Sequence, residues 1–161
     1  MRTYVHGAAA LLFFLLILPL LAQEEDASLS WNTQLTEELK TEARENGKHI
    51  LLYFSGSDWC RPCIQLKKKV FGSPAFKELA DDELVIVQLD FPVKKQNKLS
   101  PEHTAHNEAM AEKYNPKGAF PLVVVLDAAG TELGSLSGYK GLSVSEYLTE
   151  LKGLWQKKAE N

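Results

Sequence analysis

Two cysteines occur among the 161 residues, and both stand in the stretch Ser57-Asp58-Trp59-Cys60-Arg61-Pro62-Cys63. On a helix, a three-residue offset brings the two sulfurs to one side, a turn apart, where they can join or separate with little backbone movement. Pro62 suits that geometry, because the first turn of a helix has no intrahelical acceptor for the N–H that proline lacks. Three chemistries fit the pair: reversible thiol–disulfide exchange, half of a zinc site, or a structural disulfide. A zinc site would need histidines to complete it, since no further cysteine exists, and His103 and His106, three apart on a predicted helix, are the candidates. A structural disulfide closing so short a loop removes little entropy from the unfolded chain.

The rest of the chain must place these sulfurs. A length of 161 residues suits one compact domain, and the net charge of −3 with interspersed lysines offers no basic face for nucleic acid. The run Lys67-Lys68-Lys69 reads as the solvated side of a helix. Residues 1–22 read as a signal peptide. Arg2 precedes an apolar run from about Gly7 to Leu21 that is too short to span a bilayer, and Ala22 stands before the acidic Gln23-Glu24-Glu25-Asp26. Cleavage after Ala22 would remove Arg2 and no acid, taking the net charge from −3 to −4. The expected location is therefore the periplasm or the exterior, where a cysteine pair can rest oxidised unless a reducing partner maintains it.

Residues 23–30 read as a flexible lead and 31–161 as the folded domain. Trp31, Leu35 and Leu39 recur every four residues and predict a helix capped by Asn32 or Thr33 and ending at Asn46-Gly47. The continuous apolar run from His49 to Phe54 predicts a buried strand. A helix opened by the cysteine pair is expected to run to about Phe71, with a short helix from Ser73-Pro74 after it and a second buried strand from Leu84 to Leu89, parallel to the first. Phe91 to Pro101 reads as an exposed loop. Ser100-Pro101 opens another helix, ended by Asn115-Pro116-Lys117-Gly118. Leu122 to Leu126 and about Thr131 to Leu136 predict an antiparallel hairpin, and Ser143-Val144-Ser145-Glu146 reads as the capping box of a last helix. This order predicts one α/β domain, a small mixed sheet of about four strands with helices on both faces.

Trp59-Cys60-Arg61-Pro62-Cys63 after a buried strand, together with Lys113-Tyr114-Asn115-Pro116-Lys117-Gly118-Ala119-Phe120-Pro121 before a valine-rich one, resembles the thioredoxin family, and in particular its exported, periplasmic-type members with an extra N-terminal helix. The resemblance covers the chain from about Trp31. It implies a thioredoxin-like fold, thiol:disulfide oxidoreductase activity through Cys60 and Cys63, no cofactor and no resident metal, and a cis Phe120–Pro121 bond beside the sulfurs, with Phe120 helping to form the substrate groove. The implied partners are protein disulfides and a membrane or soluble thiol electron donor, with the protein acting as a monomer. Two residues depart from the family pattern. Thioredoxins usually carry a buried acid in the strand before the motif, where this chain has Leu52-Tyr53-Phe54-Ser55, and a threonine after the cis proline, where it has Leu122. Proton transfer at Cys63 then needs water or another group, with Asp58 a candidate and a turn-forming surface role its alternative.

Cys60, at a helix N-terminus, is expected to be the nucleophile. Unpaired N–H groups and the positive end of the helix dipole stabilise its thiolate, and Arg61 adds a fixed charge. Cys63, one turn further in, would resolve the mixed disulfide. Arg61-Pro62 between the sulfurs suggests a potential somewhat above thioredoxin's value of about −270 mV, still on the reductase side. The alternative is a metal-binding or metal-delivery module using the same pair with a histidine.

Overall fold

The computed structural model describes residues 29–159. The signal-peptide reading, and the lead up to residue 28, fall outside the described residues.

Helix α1 (Glu37–Glu45) is followed by β1 (His49–Ser55), α2 (Arg61–Leu66) continuing into a π-wound turn (Lys67–Phe71), α3 (Pro74–Glu83) and β2 (Leu84–Asp90). A short 3-10 turn (Lys95–Asn97) then leads to α4 (Pro101–Tyr114), β3 (Leu122–Leu126), β4 (Glu132–Ser137) and α5 (Val144–Ala159). Helix starts repeat one local device. Thr36, Ser73 and Ser100 each accept a hydrogen bond from an N–H three residues on, and Pro74 and Pro101 follow the last two where a missing N–H costs nothing. Ser143 and Glu146 form the reciprocal capping box at α5.

The four strands run in the order β2-β1-β3-β4. β1 and β2 are parallel, with His49 opposite Leu84 and Ser55 opposite Asp90, and β1 and β3 are antiparallel, as are β3 and β4. Alternate strand residues enter opposite layers, as a period of two requires. Leu51, Tyr53, Ile86, Val123 and Val125 pack with α2, α3 and α5; Ile50, Leu52, Phe54, Val87 and Val124 pack with α1 and α4. The thioredoxin-like mixed sheet, covered on both faces and with a helix N-terminal to it, is the architecture expected from the sequence.

Two local readings are corrected. No helix begins at Trp31. Asn32 instead bridges to the edge of β2: its N–H donates to the Ile86 carbonyl at 3.0 Å, and its carbonyl accepts from the Gln88 N–H at 2.8 Å. Trp31 packs with the α2/α3/α5 layer, whereas Leu35 and Leu39 pack on the opposite one. Their four-residue spacing therefore arises from a chain crossing the sheet edge. The Phe91–Pro101 segment is also more than a solvated loop, since Phe91 is half-buried, its ring stacked on Phe54 and edge-on to Phe120.

Candidate active site

Cys60 and Cys63 form a disulfide with Cα atoms 5.3 Å apart, and both residues are buried. Cys60 is the N-cap of α2, and its sulfur accepts a hydrogen bond from the Cys63 N–H at 3.3 Å. Arg61 and Pro62 are the first two helical residues. Both are exposed, and Arg61 makes no ion pair among the described residues. The turn before the helix is closed by the Gly56 carbonyl, which accepts from the Cys60 N–H at 2.8 Å. Gly56 is required there for space, because a Cβ on it would overlap the Trp59 indole.

Trp59 remains 46% exposed beside the sulfurs. Its indole N–H donates to the Phe91 carbonyl at 2.7 Å, and its ring meets Phe120 edge-on at 5.4 Å. The Phe120–Pro121 peptide bond is cis. Buried Asn115 clamps the turn before it, donating to the Ala119 carbonyl and accepting from the Ala119 N–H. A cavity of about 370 Å³, with Trp59, Phe91, Val93, Leu99 and Phe120 in its wall, lies along this side.

Asp58 is committed to the neighbouring loop. Its carboxylate accepts from the Val93 N–H at 3.0 Å, the Lys94 N–H at 2.9 Å and the Asn97 side-chain amide at 3.0 Å. Desolvation alone would raise its pKa, but these three donors and the Lys94 charge outweigh it, so the carboxyl titrates below its ordinary 3.8. The attachment of the loop is therefore fully present above that ordinary value and is lost as pH falls through the lowered one. Amide exchange at Val93 and Lys94, corrected for intrinsic rate, is expected to lose protection below about pH 4, and Asp58→Ala is expected to lose it at neutral pH. Protection unchanged by acid or by the substitution would contradict this assignment.

The acid missing from β1 is not replaced on that strand. Tyr53 lies beneath the motif, and its hydroxyl donates to the Cys63 carbonyl at 2.8 Å. Burial, with the charge of Asp90 adding to it, pushes that hydroxyl far up, leaving a neutral donor. The nearby carboxylate is Asp90 on β2, which accepts from the Ser55 hydroxyl at 3.1 Å, the Ser57 N–H at 2.8 Å and the Ser57 hydroxyl. Sequence reasoning missed Asp90, Phe91 and Asn115. The Asn-Pro-x-Gly turn pointed to the last, and only the β1–β2 register could find the first.

His103 and His106 are placed away from the sulfurs. Helix α4 packs on the opposite layer from Cys63, with His103 Nε2 at 3.1 Å from the Thr33 hydroxyl and His106 Nε2 accepting from the Leu35 N–H at 3.1 Å. Among the described residues no group of three or more His, Cys, Asp or Glu is arranged to hold a metal ion. The metal-delivery alternative is unsupported.

A helix-capping Cys-x-x-Cys disulfide and a cis Phe120–Pro121 bond, on a sheet of this order, define a class. The family model for the thioredoxin-like domain matches residues 36–152, and the chain belongs to the thioredoxin-like family. The particular relatives sharpen this. The chain is 30% identical over 166 aligned residues to a Chlamydia pneumoniae protein named disulfide bond reductase DsbH, covering 94% of this chain and 96% of that one. A second Chlamydia pneumoniae protein, the thioredoxin-related DsbJ, is 34% identical over 51% of this chain and 24% of its own length. A solved DsbH oxidoreductase superposes with a TM-score of 0.67 at 28% identity, over 84% of this chain and 92% of that one. Family membership together with the intact cysteine pair makes the protein a thiol:disulfide oxidoreductase.

Proposed function

We propose that this protein is an exported disulfide reductase that cycles Cys60 and Cys63 between dithiol and disulfide. The observation that carries the reading is the position of Cys60 as N-cap, with its sulfur already accepting the Cys63 N–H. A thiolate there is stabilised by that donor, by the helix dipole and by the charge of Arg61, so Cys60 is the attacking group. It displaces one sulfur of a substrate disulfide and forms a mixed disulfide. Cys63 then attacks Cys60, the second substrate thiolate leaves, and the Cys60–Cys63 bond is restored. Pro62, second in the helix, adds no unsatisfied N–H to its first turn, and Trp59, Phe120 and Pro121 wall the approach that an extended substrate segment takes. The chain acts as a monomer, with a thiol donor in the membrane or in solution returning it to the dithiol form.

Export is supported by the signal-peptide pattern of residues 1–22, and the reducing direction by the name of the Chlamydia relative. Equilibration with defined thiol–disulfide buffers tests the direction. The expected potential lies between about −270 mV and about −200 mV, whereas a value near −120 mV, that of a strong oxidant, would overturn the reductase assignment.

A further inference from the structure

A second cavity, of about 250 Å³, reaches Cys63 from the side of the sheet, with Tyr53, Ser55, Lys67 and Gln88 in its wall. Cys63 and Lys67 stand at i and i+4, and the Lys67 N–H closes the intervening α-turn on the Cys63 carbonyl. Side chains so spaced share one face of a helix, with Cβ atoms about 5–6 Å apart. The ammonium of Lys67 is held in place. It donates to the Gln88 side-chain carbonyl at 2.5 Å and lies 4.7 Å from the centre of the Trp31 ring. Gln88 is fixed from its other end, since its amide N–H donates to the Ser55 hydroxyl at 3.0 Å, and that hydroxyl donates to Asp90. One directed chain of hydrogen bonds therefore runs from ammonium to carboxylate across two strands.

The charges facing this space are mostly positive. Lys67 and Lys68 both line it and Tyr53 is a neutral phenol, while the carboxylate of Asp90 is occupied by Ser55 and Ser57. Desolvation, opposed by Asp90, lowers the pKa of Lys67, although the residue stays exposed and open to screening by salt.

We propose that Lys67 is a positioning residue for the resolving step, a fixed cation that makes the Cys63 thiol more acidic in a site whose strand lacks the buried acid. In that step Cys60 is bonded to the substrate sulfur. Cys63 releases its proton to water in the cavity, and its thiolate attacks the Cys60 sulfur. The Cys60–Cys63 bond forms as the Cys60–substrate bond breaks, and the electron pair leaves on the substrate sulfur, which is protonated by water. The substrate gains two electrons and the cysteine pair loses them; Lys67 keeps its protons throughout. This rests on the resolving role given to Cys63 above.

The test reads thiol acidity separately from turnover. In a Cys60→Ser background, the pH midpoint of Cys63 alkylation by iodoacetamide is expected to rise by about half a unit to one unit in Lys67→Met and to stay near the parent value in Lys67→Arg. Raising the salt to about 1 M is expected to raise the parent midpoint and narrow that gap. With both cysteines present, Lys67→Met is expected to resolve a preformed mixed disulfide about threefold to tenfold more slowly at pH 7 and to converge with the parent at high pH. An unshifted midpoint in Lys67→Met, a parent midpoint indifferent to salt, or slowing equal at every pH overturns the proposal. Failure of the Cys63 role itself would show differently, as a mixed disulfide that the parent protein does not resolve.

Discussion

Cys60→Ser is expected to abolish reduction of a protein disulfide such as that of insulin, a loss of at least about a thousandfold, to the rate of the uncatalysed thiol reaction. A hydroxyl at the N-cap still satisfies the Cys63 N–H, so the helix start survives while the nucleophile is gone. Cys63, 1% exposed, is too enclosed to meet a protein disulfide, although a small alkylating reagent can reach it through the cavity at its side. Cys63→Ser has a different signature. Its Cys60 still attacks, but no thiol follows, so the covalent adduct with substrate accumulates and is seen as an added mass that dithiothreitol removes. Under native expression the trapped polypeptides identify both the substrates and the electron donor. If Cys63→Ser turned over normally, or if no adduct formed on Cys60, the exchange cycle assigned to the pair would fall.

The second large effect concerns stability and lies about two helical turns beyond Cys63. Phe71, 3% exposed, ends the π-wound turn of α2 and meets the rings of Phe76 at 4.5 Å, Tyr53 at 5.1 Å, Trp31 at 5.7 Å and Tyr147 at 6.0 Å. It ties α2 to β1, α3, α5 and the segment that crosses the sheet edge. Phe71→Ala leaves a cavity among side chains that cannot all collapse inward, at a cost of about 3–5 kcal/mol. That is a large part of the roughly 5–15 kcal/mol available to a domain of this size. The expected fall in thermal midpoint is about 10–20 °C. Ile64→Ala, at a 47% exposed position on the same helix, is the control and is expected to change stability by no more than about 0.5 kcal/mol. Similar melting of the two variants would mean that the ring cluster does not hold the helix. Because Tyr53 belongs to that cluster and also bonds the Cys63 carbonyl, loss of Phe71 is expected to loosen the site before the whole domain melts.

What the sequence determined by itself is local chemistry. The two sulfurs and their spacing are in the chain as written. So are the caps at Ser73, Ser100 and Ser143, because a capping side chain bonds an N–H only three residues away. The apolar runs His49–Phe54, Leu84–Leu89 and Leu122–Leu126 announced buried strands, since a strand covered on both faces needs no polar alternation.

Tertiary structure decided whatever joins residues far apart in sequence. Trp31 and Leu35 lie four residues apart whether the chain coils or passes over a sheet edge, so periodicity does not separate the two; the pairing of Asn32 with the outer edge of β2 does. Asp58 reads in the sequence as a turn residue or a proton carrier, whereas the fold sets the backbone of Val93 and Lys94, 35 and 36 residues on, against its carboxylate. The alignment of Ser55 opposite Asp90 follows from the β1–β2 register, and the bond from Lys67 to Gln88 from the way α2 packs on that sheet. The cysteine pair thus carries its reactive atoms and nearest charges, Arg61 and Lys67, in one short stretch, while Tyr53, Ser55, Gln88 and Asp90 are brought around it by strand order and helix packing, which no short stretch of chain encodes.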